Sequence, residues 1–321
     1  MSLLHLLHLR RGRPSGVRAR EYGMLPASLA VLLAGCGASS AASPSSLSAK
    51  TPTGAAPALA RVVPAAHRGS TVSAALNVYQ PYEIYSNNAA VFTGIDPELY
   101  QAMGRLLGIT FQVRDVPFNE VIPGIQAGRY QVSSPLGDFI QRRQVVTFVD
   151  YARGASSLLV SASSRYRPAT VLGLCGHPIG IETGTAETTV TQDISHMCAA
   201  RGKTPVAVHE FADESAITLA LASGRLDGGL SDAAPNSYTA RQSGGQFVSL
   251  ALSGGGSIPG WGATFGIAVT RGSWLAAAIL AAMRELRSDG TYGQIFRKWK
   301  LALEMLPASA IKINASSQQG G

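Results

Sequence analysis

The sequence is short of charge, of cysteine and of long apolar runs, and each shortage removes a class of protein. Only 14% of its 321 residues are charged while 46% are hydrophobic, against about 25% charged in soluble domains, so a wholly disordered chain or a solvated coiled coil is excluded. No run of about 18 uncharged apolar residues occurs, which excludes a multi-span membrane protein. Nucleic acid is excluded as a partner by how the charge is distributed. Of a net charge of +8, half lies before residue 36, where Arg10, Arg11, Arg13, Arg18 and Arg20 stand against Glu21 alone. The remainder is spread thinly, without the basic clusters or interleaved aromatics that a phosphate-tracking groove needs. What is plentiful is glycine, at 35 residues, and length. The chain exceeds one ordinary core and predicts about two domains or lobes of 100 to 200 residues.

The first 36 residues read as an address. An Arg-rich segment leads into the apolar stretch from Met24 to Gly35, too short to span a bilayer, and then Cys36. Leu33-Ala34-Gly35-Cys36 resembles the bacterial lipobox, in which the cysteine is lipidated and becomes the mature amino terminus. The resemblance implies a lipoprotein signal peptide over 1–35 and a lipid on Cys36; an ordinary signal peptide with an incidental cysteine is the alternative. The basic segment is long, so a start downstream of Met1 stays open. Residues 36–72 are mostly Ala, Ser, Pro, Gly and Thr, too poor in large apolar side chains to offset the entropy of ordering, and are expected to be a flexible tether. A lipid and a tether together place the folded body outside the membrane, held to its outer face.

That compartment is oxidising, so Cys175 and Cys198 are expected to form a disulfide, limiting the unfolded chain by about 3 kcal/mol. A zinc site is the rival reading. Cys175-Gly-His177 and His196-Met-Cys198 mirror one another and offer two thiolates and two imidazoles, though not at the spacing of common zinc modules. No cofactor is expected.

From Leu76 onward, short apolar runs alternate with helical segments. Asp96-Pro97-Glu98 supplies a cap, a first-position proline and an acidic first turn, and Ile95, Leu99, Met103 and Leu106 then recur at helical spacing up to Gly108. Ile109 to Val113 read as a strand, Val121 to Ile125 as a short helix, and Val145 to Tyr151 as extended chain. A second series follows: a strand at Pro178 to Ile181, a helix opened by Gly184-Thr185, a strand at Pro205 to Val208, a helix from Glu214 to Ser223, and a strand at Leu226 to Leu230. Two helices close the pattern, one capped by Ser273 and one by Thr291. The alternation predicts two α/β lobes with mainly parallel sheets.

Several motifs then fall in a telling order: Tyr79-Gln-Pro81-Tyr82, Gly94-Ile-Asp-Pro-Glu-Leu99, Phe118 to Gly128, Arg142, Gly184-Thr185, Ser223 to Asp232, and Leu286-Arg-Ser-Asp-Gly-Thr-Tyr292. In this order, and over nearly everything from 76 to 314, the chain resembles the family 3 extracellular solute-binding proteins of ABC importers, whose members bind polar amino acids. The resemblance implies a two-lobed periplasmic-binding-protein type II fold with two crossing hinge strands. Lobe 1 would be 73–155 with 262–314, lobe 2 would be 156–261, and 315–321 a disordered tail. It also implies a ligand held between the lobes, a membrane permease with its ATPase as partners, and a monomer. Arg142 matches the arginine that clamps the ligand's α-carboxylate, a task suited to a guanidinium's parallel donors. Gly184 and Thr185 open a helix whose free N–H groups would hold the same carboxylate. Asp232 matches the receiver of the α-ammonium, and Tyr79 and Phe118 match the aromatic walls. Tyr82, Ser134 and Gly137 belong to the same matched stretches.

Plainer readings stand beside these. Of Arg142 and Arg143 one is a solvated charge, Asp232 also reads as a turn cap, Gly184-Thr185 suits any helix start, and Tyr79 or Phe118 also suit a core. The chain departs from the family around Ser134-Pro135-Leu136-Gly137-Asp138 and at Phe139, where hydroxyl residues are common; Pro135 brings no N–H donor. Asp138 either faces the cleft or is a loop charge. Some proteins of this fold are enzymes, such as cyclohexadienyl dehydratases, for which Glu182, Glu187 or Asp138 would have to act as acid or base. Gly229-Leu-Ser231-Asp-Ala233 lacks the second glycine of a nucleophile elbow. A stand-alone ligand sensor is the third class.

Overall fold

The computed structural model describes residues 58–86 and 91–317. The expected signal peptide, Cys36, the first part of the tether and the last residues of the tail lie outside them. Two five-stranded sheets, each flanked by helices, carry the fold. The first contains β1 (Thr71–Leu76), β4 (Thr110–Asp115), β5 (Val132–Gly137), β6 (Val146–Arg153) and β12 (Thr264–Thr270), in the order β4-β1-β5-β12-β6. Between β1 and β4 in the chain, β2 (Ile84–Ser86) and β3 (Val91–Thr93) form a separate ribbon. The second sheet contains β7 (Ser156–Ser161), β8 (Pro178–Glu182), β9 (Ala207–Phe211), β10 (Gly228–Asp232) and β11 (Phe247–Leu250), in the order β11-β7-β10-β8-β9.

The two-lobed α/β class is as the sequence predicts, but the sheets are evenly mixed where mainly parallel ones are expected. β1 pairs parallel with β4 and β5, and β8 with β9 and β10, while β12 runs against β5 and β6, and β7 against β10 and β11. The reason lies in the connections. β7 enters its sheet directly from the first, and β12 enters directly from the second, without the helical crossover that parallel pairing requires. The chain thus passes between sheets twice, at Gly154-Ala155 and at Gly262-Ala263. These passages touch: Gly154 N–H donates to the Ala263 carbonyl at 2.7 Å and Gly262 N–H to Ser156 Oγ at 3.0 Å. A Cβ on Gly154 would meet the Phe265 ring at 2.8 Å, so the crossing requires glycine.

In the first lobe, α1 (Ile95–Leu107), α2 (Phe118–Gln126), α6 (Leu275–Ser288) and α7 (Thr291–Lys298) form. The stripe Ile95, Leu99, Met103 and Leu107 is buried at helical spacing, and Gly108 ends α1 in the left-handed conformation at φ 69°. Gly94 starts it at φ 127°, where a Cβ would lie 2.2 Å from the Tyr82 carbonyl. In the second lobe, α3 (Glu187–Ala199), α4 (Glu214–Ala222) and α5 (Ala233–Gln242) pack on the sheet.

Two boundaries need correction. Residues 58–72, assigned to the tether on composition, are folded: Val63 is fully buried in the core with Leu59 packed beside it, His67 stacks on Trp274 at 4.9 Å, and β1 already begins at Thr71. A few well-placed apolar side chains suffice when they land on an existing core. The tail is tied down through 316: Ala315 N–H donates to Asp150 at 3.1 Å and the Ser316 carbonyl accepts from Arg143.

Cys175 and Cys198 form the expected disulfide, with Cα atoms 5.7 Å apart. The zinc alternative fails geometrically, because His177 turns away to Asp227 at 2.7 Å and stacks on Tyr166. Among the described residues no cluster of three or more His, Cys, Asp or Glu is placed to hold a metal.

Candidate ligand-binding site

Between the sheets lies a cavity with about 520 Å³ of atom-free space, part of it open to solvent. Its walls are strand ends. Asn77 and Tyr79 follow β1, Phe118 opens α2 after β4, and Pro135 and Gly137 end β5. From the other sheet, Glu182 ends β8, Glu214 opens α4 after β9, and Ser231 and Asp232 end β10, with Thr185, Ala186 and Glu187 at the start of α3. In open α/β sheets the connections leaving the carboxyl ends of parallel strands diverge and leave a crevice there. The convergence of these residues therefore follows from the topology.

Arg142 sits on the short turn Arg142–Gln144 and is only 8% exposed. Its guanidinium carbon lies over the rings of Phe139 at 5.0 Å and Phe118 at 5.7 Å, a cation-π arrangement that fixes the group at low polarity. It donates to the carbonyls of Gly137 and Gly184, both at 3.4 Å, the second belonging to the opposite lobe. Those are long bonds, and a guanidinium has five donors, so capacity remains for an anionic ligand. Burial lowers its pKa to about 10, partly offset by Glu187, and it stays cationic at neutral pH.

Facing it are four carboxyls. Asp232 is 9% exposed and accepts a hydrogen bond from the Tyr79 hydroxyl across the cleft. Burial, then the charge of Glu187, pushes Asp232 well above the usual carboxylate range, against the pull of the Tyr79 bond. Glu214 accepts from Ser231 Oγ at 2.5 Å, and burial raises it to about 7. Burial likewise raises Glu187 at the start of α3. Glu182 is pushed to about 9 by burial and then by Glu214 and Glu187. One guanidinium against four carboxyls makes the cavity strongly receptive to cations while keeping one place for an anion.

Of the sequence-derived residues, Tyr79, Phe118, Gly137, Arg142, Thr185 and Asp232 line this cavity. Gly184 stands just behind it, its carbonyl accepting from Arg142. Two do not reach it. Tyr82 is fully buried in the first lobe's core, packed edge-on to Phe265 at 5.5 Å with its hydroxyl donating to Glu304 at 2.6 Å. Ser134 lies inside β5, where its hydroxyl donates to that of Tyr100 at 2.9 Å; alternation along the strand sends it into the lobe. Asp138 is neither a cleft residue nor a solvated charge: it is fully buried and pairs with Arg143 at 2.6 Å through both oxygens. Arg143 is correspondingly no free surface charge. The cavity also takes in Asn77, Glu214 and Phe265, which the sequence reading passes over as site residues, together with Phe139 and Ser231, which it notes only as a departure from the family and as part of an incomplete elbow, and Glu182 and Glu187, which it names only as the acid or base of an enzyme. Asn77 was findable as a polar residue at a predicted strand end; Glu214 needed the knowledge that β9 lies at the sheet edge.

Residues 72–302 match the bacterial extracellular solute-binding proteins, family 3. The chain belongs to that family. An arginine-binding protein of Corynebacterium glutamicum is 28% identical over 250 residues, covering 77% of this chain and 79% of its own. The lysine/arginine/ornithine-binding periplasmic protein of Escherichia coli is 28% identical over 211 residues, covering 65% and 79%. Among solved structures, an ancestral arginine-binding protein bound to arginine superposes with TM-score 0.59 at 25% identity, covering 72% of this chain and 98% of its own. The substrate-binding protein of an amino acid ABC transporter superposes with TM-score 0.63 at 18% identity, covering 71% and 98%, which shows the shared fold. The relatives named here are binding proteins. No helix among the described residues of this family member is long and apolar enough to cross a membrane.

Proposed function

We propose that this protein captures a free α-amino acid between its lobes and delivers it to the membrane permease of an ABC importer, driven by the importer's ATPase. The observation that carries the reading is the pairing across one cavity of a buried, ring-stacked Arg142 with a buried Asp232. A guanidinium holds the α-carboxylate with two donors, and the carboxylate receives the α-ammonium. The N–H groups around Thr185 and Ala186, before α3, favour the same anion. Tyr79, Phe118 and Phe265 supply the apolar walls. The named relatives, an arginine-binding and a lysine/arginine/ornithine-binding protein among them, support an amino acid as cargo.

Capture works by hinge closure. Arg142 and Asp232 belong to opposite lobes, so a ligand that bridges them stabilises the closed form through contacts the open form lacks. The paired passages at Gly154 and Ala263 are where backbone rotation would open the cleft. In this reading a lipid on Cys36 holds the monomeric protein at the outer face of the cell membrane, the tether before residue 58 giving it reach to the permease. Ser231 is committed to Glu214, and none of the described residues lining the cavity is a histidine, which speaks for binding over hydrolytic chemistry.

Isothermal titration with L-arginine, L-lysine, L-histidine, L-glutamine and a cyclic dicarboxylic acid tests the reading. At least one amino acid is expected to bind, and Arg142→Ala and Asp232→Ala are each expected to weaken it by at least about 30-fold, because each strands a buried charge. Unchanged affinity in both variants, or consumption of the cyclic acid with no amino acid bound, refutes it.

A further inference from the structure

Glu182 is the carboxyl in this cavity that nothing inside the protein accounts for. It is 3% exposed at the end of β8, and its side chain lines the cavity. Its neighbours have favourable partners: Asp232 accepts from Tyr79, Glu214 from Ser231, and the charged form of Glu187 is favoured by Thr185, its own backbone N–H and Arg142. Among the described residues no hydrogen bond or ion pair satisfies the Glu182 carboxyl, and the charged influences on it are the like charges of Glu214, Glu187 and Asp213. Its carboxyl opens into the cavity instead of onto a protein donor, so what completes it is whatever fills the cavity, water or a ligand group.

The charge balance of the cavity says what that ligand group is. The α-carboxylate and α-ammonium of an amino acid are matched by Arg142 and Asp232, which leaves Glu182 beside Glu214 with no cation facing either. A neutral or acidic side chain would leave both without one, whereas a guanidinium or ammonium at its far end supplies the missing donors and the cation against which Glu182 can ionise. We infer that Glu182 is the specificity-determining residue that receives the distal cation of the ligand's side chain, restricting the cargo to dibasic amino acids. The inference rests on the amino-acid reading above. Burial and the flanking glutamates raise Glu182 to about 9, so the empty cavity holds it neutral, and an arriving cation draws it into the charged form.

L-Arginine and L-citrulline separate the two ideas, since they share shape and α-groups and differ in the distal charge. Titration of the wild-type protein is expected to show arginine bound at least about tenfold more tightly than citrulline. Glu182→Gln, close to isosteric, is expected to weaken arginine by at least about 30-fold while moving citrulline by less than about threefold. Glu182→Asp, which keeps the charge, is expected to retain more arginine affinity than the glutamine variant. Equal losses for both ligands would make Glu182 structural and overturn the inference, as would an unchanged arginine affinity or a wild-type protein indifferent between them; in those cases amino-acid capture itself survives. If the wild-type protein binds no amino acid, both proposals fall.

Discussion

The two lobes share a plan and are stabilised differently. Every one of the largest fully buried side chains, among them Tyr82, Tyr100, Tyr151, Tyr292, Phe139, Phe148 and Phe296, belongs to the first lobe. There Tyr82, Tyr151, Tyr292 and Phe296 make tilted and edge-to-face contacts between 4.6 and 6.5 Å, and the Tyr292 hydroxyl donates to the Tyr151 carbonyl at 2.6 Å. The second lobe has no such centre. Its interior is aliphatic and divided by the sheet, with Leu158, Val160, Ile179, Ile181 and Leu230 on one side and Leu159, Ile217, Leu221 and Phe247 on the other. It carries the disulfide instead, with Cys198 buried in the larger cluster. A lobe with a thinner core is held by restricting its unfolded state, and a lobe with an aromatic core by the area it buries.

Substitutions make that contrast measurable. The largest effect is expected for Phe296→Ala, which empties a fully buried aromatic site and should destabilise the protein by about 4 kcal/mol in denaturant unfolding. A loss below about 1 kcal/mol would mean that the aromatic cluster is not the keystone of the first lobe. Next comes Cys175→Ser with Cys198→Ser, expected to cost about 3 kcal/mol and to act on the second lobe. Hydrogen exchange should then show faster opening of β8, β9 and α3 with the β1 and β5 amides unaffected. Equal acceleration in both lobes would show that they unfold as one unit.

The legible parts of the molecule were those with local signals. Gly108 and Gly224 set helix ends through backbone preference, and the stripe from Ile95 to Met103 shows which face α1 buries; Asp96, expected as the cap of α1, lies one residue inside it behind Gly94 and accepts from the Tyr151 hydroxyl instead. Asp232 and Arg142 were readable because their motifs combine in a fixed order. What stayed hidden depended on distant partners. Nothing beside Val63 in the sequence announces that the first lobe's core will take it in. Tyr82 and Ser134 follow motif residues, but their orientation was decided by Glu304 and Tyr100, far away in the chain. Asp138 reads from sequence as a cleft residue or a loop charge and is neither, because Arg143 and the Ser316 backbone close over it.

The smallest expected effect concerns the carboxyls and separates the first lobe from the cleft. Burial raises Asp96 to about 6 and Asp150 to about 8 in the first lobe, and Glu214 to about 7 and Glu182 to about 9 in the cleft. Unfolded carboxyls titrate near 4, so between that value and the folded ones the native state binds more protons than the unfolded state, and stability falls as pH rises. The melting temperature of the empty protein is therefore expected to drop by a few degrees between pH 5 and 8. The two sources respond to different tests. Saturating L-arginine should flatten only the cleft's share, by pairing Glu182 with a cation. Asp150→Asn should reduce the first lobe's share, leaving what Asp96 contributes: it removes an oxygen, Oδ1, that lacks a hydrogen bond, and leaves the cleft untouched. A melting temperature that rises from pH 5 to 8, or an Asp150→Asn variant with the wild-type slope, would show that these carboxyls ionise freely in the folded protein.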